Sequence, residues 1–136
     1  MNKLIALIEE NQADTLPANE AQIELAESQL GMTFTSEYRT YLLEFGVISF
    51  ESHETYGLGV KESSHLNIIR TVNDFRNFKG FPSSLVPLAE IGDGHYYMYD
   101  NASHKVLSIA IPDMGTREIS NNLEEFLCKL IFNSSS

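Results

Sequence analysis

Val86-Pro87-Leu88-Ala89-Glu90-Ile91, His95-Tyr96-Tyr97-Met98-Tyr99 and Lys105-Val106-Leu107-Ser108-Ile109-Ala110-Ile111 are runs rich in aromatic and branched side chains, and their spacing decides the fold class. Gly92-Asp93-Gly94 and Asn101-Ala102-Ser103-His104 separate them, and both connections carry the turn chemistry of β-hairpins. The stretch predicts an antiparallel meander over residues 86–111. Pro87 cannot donate to a ladder, so it belongs at a strand start or on a sheet edge.

Downstream, Asn121 with Glu124 reads as a capping box. Leu123, Phe126, Leu127, Leu130 and Ile131 then trace one face of a helix that packs on the sheet, and 133–136 reads as a frayed tail. Upstream the chain is helical. Leu4, Ile5, Leu7 and Ile8 form the apolar face of a first helix, and Pro17 interrupts the chain. Asn19 with Gln22 caps a second helix carrying Ile23, Ala26 and Leu30, with Gly31 placed to end it. Thr35 caps a third, whose Tyr38, Tyr41, Leu42 and Phe45 fall at i, i+3, i+4 and i+7 before Gly46. Between helices and meander, 47–50 and 55–60 read as short strands. Gly57 and Gly59 in the second suggest a bulge or a close backbone approach. Residues 67–70 fit either a strand or a first helical turn, and Val72, Phe75 and Phe78 fit a short helix ended by Gly80 and Pro82. Helices, a meander and a closing helix make an α+β fold. With no repeat and no linker, residues 1–136 read as one domain.

Composition narrows the function. A chain of 136 residues buries about two-thirds of its surface on folding, enough for a core without staples. The single cysteine, Cys128, excludes a disulfide framework within the chain and a four-cysteine zinc site. A net charge of −10 argues against direct binding of nucleic acid, whose phosphates are gripped by Lys and Arg. The same charge suits a basic partner. No apolar run reaches the roughly 18 residues of a membrane span, and the first residues lack a secretory signal pattern. The cytoplasm is the expected compartment.

Catalytic patterns are absent from the sequence. Gly92-Asp93-Gly94 lacks the Lys and the following helix of a phosphate loop. His53, His65, His95 and His104 lack the spacing of a helical zinc pair. Cys128 reads as a packing residue at the margin of the core, and no serine sits in a nucleophile elbow. Glu9-Glu10 and Glu124-Glu125 read as solvated helix acids, and Tyr96, Tyr97 and Tyr99 as half-buried sheet aromatics. No enzyme, metal or cofactor is expected. Acids are nonetheless concentrated in the strand-and-loop region, at Glu51, Glu54, Glu62, Glu90, Asp93, Asp100 and Asp113.

The order of these segments resembles a known family. Residues 23–31 followed by 34–46 resemble the opening helix pair of the SUKH superfamily, which includes the fungal Smi/Knr cell-wall regulators and many bacterial immunity proteins. Residues 47–50 and 56–59, then 85–89 and the turn Gly92-Asp93-Gly94 with 95–100, are similar to the strands of bacterial members, among which the YobK type resembles the chain most. The resemblance covers about residues 20–132. It implies structural roles for Tyr38, Leu42, Gly46, Gly57, Gly92, Gly94 and Tyr97. It also implies an immunity protein that neutralises a cognate polymorphic toxin domain, a nuclease, by covering its basic active-site surface. The alternative is a regulatory or scaffolding adaptor of the Smi/Knr type. A small hydrolase is a third reading, without a legible nucleophile–base pair. On the immunity reading, Glu51, Glu54, Glu62, Asp93 and Asp100 supply electrostatic contacts from turns, and Phe50 or Tyr56 supplies apolar anchorage. The helical acids Glu9, Glu10, Glu20, Glu24 and Glu27 are expected to be solvated bystanders.

Overall fold

The computed structural model describes residues 1–133. The expected tail over 133–136 falls largely outside the described residues, and Asn133 instead caps the last helix in the left-handed region, with φ 54°.

Three helices open the chain: α1 (Asn2–Asn11), α2 (Glu20–Leu30) and α3 (Ser36–Glu44). Their starts follow the local chemistry. The Asn19 side chain accepts from the Gln22 amide at 2.8 Å while the Gln22 side chain accepts from the Asn19 amide at 2.9 Å, a reciprocal cap. Thr35 Oγ1 accepts from the Tyr38 amide at 3.1 Å. Ile23, Ala26 and Leu30 of α2, and Tyr38, Tyr41 and Leu42 of α3, face the core.

The strands form two antiparallel sheets. β1 (Asp14–Thr15), β2 (Ile48–Phe50) and β3 (His53–Glu54) form a small sheet in that order. β4 (Leu85–Gly92), β5 (His95–Asp100), β6 (Lys105–Ala110) and β7 (Thr116–Ser120) form the meander. Pro87 lies on the edge strand β4, beside a register shift, where its missing donor is tolerated. β7 escapes a reading of apolar alternation because its side chains are largely exposed; pairing with β6 alone defines it.

The strand expected over 55–60 does not form. Gly57 makes only an isolated bridge to Asn67, and its neighbourhood is a backbone-on-backbone contact instead. A Cβ on Gly57 would stand 1.6 Å from the Gly46 carbonyl oxygen, and one on Gly59 would stand 1.8 Å from that of Leu16. The Tyr56 amide, one residue before, donates to the Leu88 carbonyl of β4 at 2.9 Å, so this arm links the two sheets. Asn67 starts α4 (Ile68–Phe75), its side chain accepting from the Ile69 amide at 2.8 Å. Phe78 lies beyond that helix and is exposed.

The closing helix α5 (Leu123–Phe132) is capped by Asn122, one residue later than the sequence suggested: its side chain accepts from the Glu125 amide at 3.0 Å. That shift frees Glu124 to accept from the Leu4 amide at 3.1 Å, tying α1 to α5. Phe126 is buried against Tyr97, with ring centroids 4.9 Å apart. Cys128 is fully buried, inside the core rather than at its margin. Leu130 is only half-buried.

Two sets of variants check this packing. Gly57→Ala should abolish folding, because the added methyl meets backbone that cannot move aside. Gly31→Ala, with open space around its Cβ position, should cost only about 1–2 kcal/mol for the left-handed conformation. Phe126→Ala should cost about 3–5 kcal/mol, and Leu130→Ala distinctly less. Thermal melts of the variants read both contrasts.

Candidate functional site

The expected contact acids divide on the structure. Glu51 holds a positive φ of 54° in the β2–β3 turn and is exposed, as are Glu54 on β3 and Glu62 in the loop before α4. Asp93 is exposed in the β4–β5 turn. Asp100 stands at the other end of β5, on the order of 20 Å away at strand rise. Asp93 and Asp100 therefore do not fall in one cluster.

Asp100 is occupied by its own turn. Its carboxylate accepts from Ser84 Oγ at 2.6 Å, from the Ala102 amide at 2.9 Å and from Ser103 Oγ at 2.9 Å. Partial burial alone would raise its pKa, but these donors outweigh burial and hold it below the ordinary carboxylate value. Other acids are also used inward. Tyr99 donates to Glu37 at 2.8 Å, and Glu37 also accepts from the Leu123 amide at 3.3 Å. Glu20 and Glu27, expected as bystanders, pair with Arg39 at 2.6 and 3.2 Å. Glu27 further accepts from the Phe34 amide at 2.8 Å. Glu9, Glu10 and Glu24 remain exposed.

What the structure does bring together is a cavity of about 200 Å³ at the junction of the two sheets and α5. β3 supplies Glu54, the arm that links the sheets supplies Tyr56, the loop before α4 supplies His65, β4 supplies Ala89 and Glu90, and α5 supplies Leu130. Ala89 and Glu90 lie between two register shifts of β4, where irregular pairing turns side chains off the regular alternation. Glu90 is the residue that sequence reasoning left out of the site. It was visible only as one acid among many, since nothing local relates position 90 to position 54.

Tyr56 is buried, with 7% of its surface exposed. Its amide and carbonyl are committed, the carbonyl accepting from Tyr41 Oη at 2.8 Å. Its own hydroxyl hydrogen-bonds to none of the described residues. Burial, then the charges of Glu90 and Glu54 with Tyr96 beside it, push this phenol up to about 12. Tyr56 is thus a wall of the cavity rather than a surface anchor. Phe50 is half-buried and packs on Phe132, with centroids 5.1 Å apart. His53 also borders the cavity, and His65 Nε2 lies 4.0 Å from Glu54 Oε1. Among the described residues, no group of three or more His, Cys, Asp or Glu side chains is arranged to hold a metal ion. Burial raises the Cys128 thiol, reinforced by Glu124 and only partly opposed by Lys3, which disfavours the nucleophilic thiolate. No described helix is long and apolar enough to cross a membrane.

A carboxylate whose pKa is lowered by folding stabilises the protein above its unfolded pKa, and that contribution is lost as pH falls through the folded value. Asp100→Asn should therefore be less stable than the parent at pH 7, with the deficit closing below about pH 4. Denaturant titrations at both extremes measure it.

No curated protein matches the sequence. A crystal structure of a protein from Pseudomonas syringae pv. tomato is similar in fold, with a TM-score of 0.75 at 18% identity, over 98% of this chain and 100% of that one. The family SUKH_5, described as SMI1-KNR4 cell-wall, matches residues 1–132. The helix pair, the glycine-bound arm, the meander and the closing helix thus fall within one matched segment, and the chain belongs to the SUKH superfamily.

Proposed function

We propose that the chain is an immunity protein, a non-enzymatic binder acting in the cytoplasm as a single domain. Its partner is a cognate toxin domain, a nuclease whose basic active-site surface it covers. The observation that carries this reading is the partition of its acids. Glu51, Glu54, Glu62 and Glu90 stand exposed on the sheet junction and the loops beside it. They accept no hydrogen bond from a described backbone amide, whereas Glu27, Glu37, Glu124 and Asp100 do. The exposed acids therefore do little for the fold. They remain available to a basic surface, where opposite charge speeds encounter and fixes orientation. Asp93 extends the acidic surface at a separate turn. Phe50, half-buried against Phe132, is suited to apolar anchorage. The alternative, an adaptor of the Smi/Knr type, shares the fold but gives the exposed acids no task.

Co-expression with the toxin domains encoded beside its gene tests the proposal, rescue of growth being the expected result. With a rescued toxin in hand, Glu51→Lys, Glu54→Lys and Glu62→Lys together should slow association by about ten-fold or more and flatten its salt dependence. Glu9→Lys, Glu10→Lys and Glu24→Lys together should do much less. Equal effects would mean that only net charge matters.

A further inference from the structure

We infer that the cavity at the sheet junction is a socket for one arginine side chain of the protein partner. This deepens the immunity reading and rests on it for the partner's identity, but not for the chemistry of the site. The cavity holds about 200 Å³, room for a side-chain head group but not for a folded segment. Its carboxylates come from different elements, Glu54 from β3 and Glu90 from β4. Between them lies the 7%-exposed Tyr56, whose hydroxyl finds no partner among the described residues. The rest of the side chain is packed away, so this hydroxyl is the polar part of Tyr56 left to the cavity it lines, and a group entering the cavity can meet it.

The occupant must therefore donate to more than one acceptor at once and carry positive charge. A guanidinium does both. Its five N–H donors are fixed in one plane, it stays protonated throughout the working pH range, and it lies readily against an aromatic ring. A lysine ammonium is a more strongly hydrated point charge and loses more on entering a partly enclosed site. Ala89, Leu66 and Leu130 complete the walls with apolar surface, suited to the methylene stem that carries the guanidinium. No arginine or lysine is among the described residues that line the cavity, and Arg39, Arg70 and Arg76 are engaged by Glu20 with Glu27, the Ser63 carbonyl and the Ser83 carbonyl, so the occupant comes from outside.

The probe is N-acetyl-L-argininamide, titrated into the ¹⁵N-labelled full chain and followed by amide chemical shifts. N-acetyl-L-citrullinamide is the neutral isostere, and N-acetyl-L-lysinamide the alternative cation. Expected are saturable shifts at Glu54, Tyr56, Ala89 and Glu90 with an affinity on the order of millimolar, as one side chain with two charge-assisted bonds allows. The response should weaken at least five-fold with citrullinamide and in each of Glu54→Gln and Glu90→Gln. Both substituted side chains are exposed, so unchanged spectra elsewhere will show the fold intact. Absence of saturation, an equal response to citrullinamide, or shifts centred elsewhere would overturn the socket. An equal response to lysinamide would overturn the assignment to arginine. Probe binding without rescue from any toxin would leave the socket and remove the immunity reading; rescue without probe binding would do the reverse.

Discussion

The carbonyl group of Leu16 is the point at which the distant parts of this chain are held together. The Leu16 amide donates to the carbonyls of Phe45 and Val47 at 3.0 and 3.1 Å. Around its own carbonyl oxygen the backbone of two other segments closes in, at Gly46 and Gly59, where a Cβ would approach to 1.9 and 1.8 Å. Gly57 packs in turn on the Gly46 carbonyl. Ordinary side chains need almost twice that separation, so the contact exists only because these residues lack one. Gly46 and Gly59 also hold φ at 69° and 92°, which their neighbours could not adopt without strain. The linker after α1, the end of α3 and the arm before α4 are thereby brought to van der Waals contact through main chain alone.

That junction dictates what the arm presents. With Gly57 fixed, its carbonyl accepts from the Ile68 amide at 3.0 Å and its amide donates to Leu66 at 2.9 Å, so α4 starts in a set place. One residue earlier, Tyr56 must lie along β4. Thr55 then meets Tyr41, with 2.6 Å between their hydroxyl oxygens, and accepts from the Ile48 amide at 2.9 Å. Tyr41 Oη donates to the Tyr56 carbonyl at 2.8 Å, which leaves Thr55 Oγ1 as the donor to Tyr41 Oη, so both hydroxyls of this buried pair are satisfied. Tyr38, stacked between Tyr41 and Tyr99 with centroid separations of 5.7 and 5.5 Å, has a buried hydroxyl without a partner among the described residues. Burial drives that phenol well above its ordinary pKa. Its ring, not its hydroxyl, is what the core uses.

How much of this could be read from the sequence depended on the range of the interaction. The caps at Asn19 and Thr35, the glycine end of α2 and the hairpins of the meander are decided within four residues, and all stand where the pattern put them. The cap of α5 slipped from Asn121 to Asn122 because either asparagine has a glutamate three residues on; what separates them are longer-range bonds such as the Leu4 amide to Glu124 and the Leu123 amide to Glu37. The stretch 55–60 carries strand-like residues, yet its glycines are spent on contact with Leu16 and Gly46, which no window around position 57 contains. β7 lacks apolar alternation because the sheet needs only its backbone. The candidate site was legible as a composition, an excess of acid in loops, and not as a place. Glu54 and Glu90 are far apart in sequence and meet where the Tyr56 amide pairs with the Leu88 carbonyl.

The same division of labour bears on how such a surface can change. The fold rests on main-chain contacts at glycine, on apolar side chains, and on acids that accept from backbone amides. Substituting any of those disturbs a buried group, and the cost falls on stability. Glu51, Glu54, Glu62 and Glu90 contribute to none of these terms, and surface changes of this kind usually move stability by under about 0.5 kcal/mol. These four acids can therefore be exchanged singly or together while the arm stays in register with β4. The four acids stand beside an arm that is fixed by main-chain contacts at glycine, so the charge they present is set apart from the atoms that hold the fold.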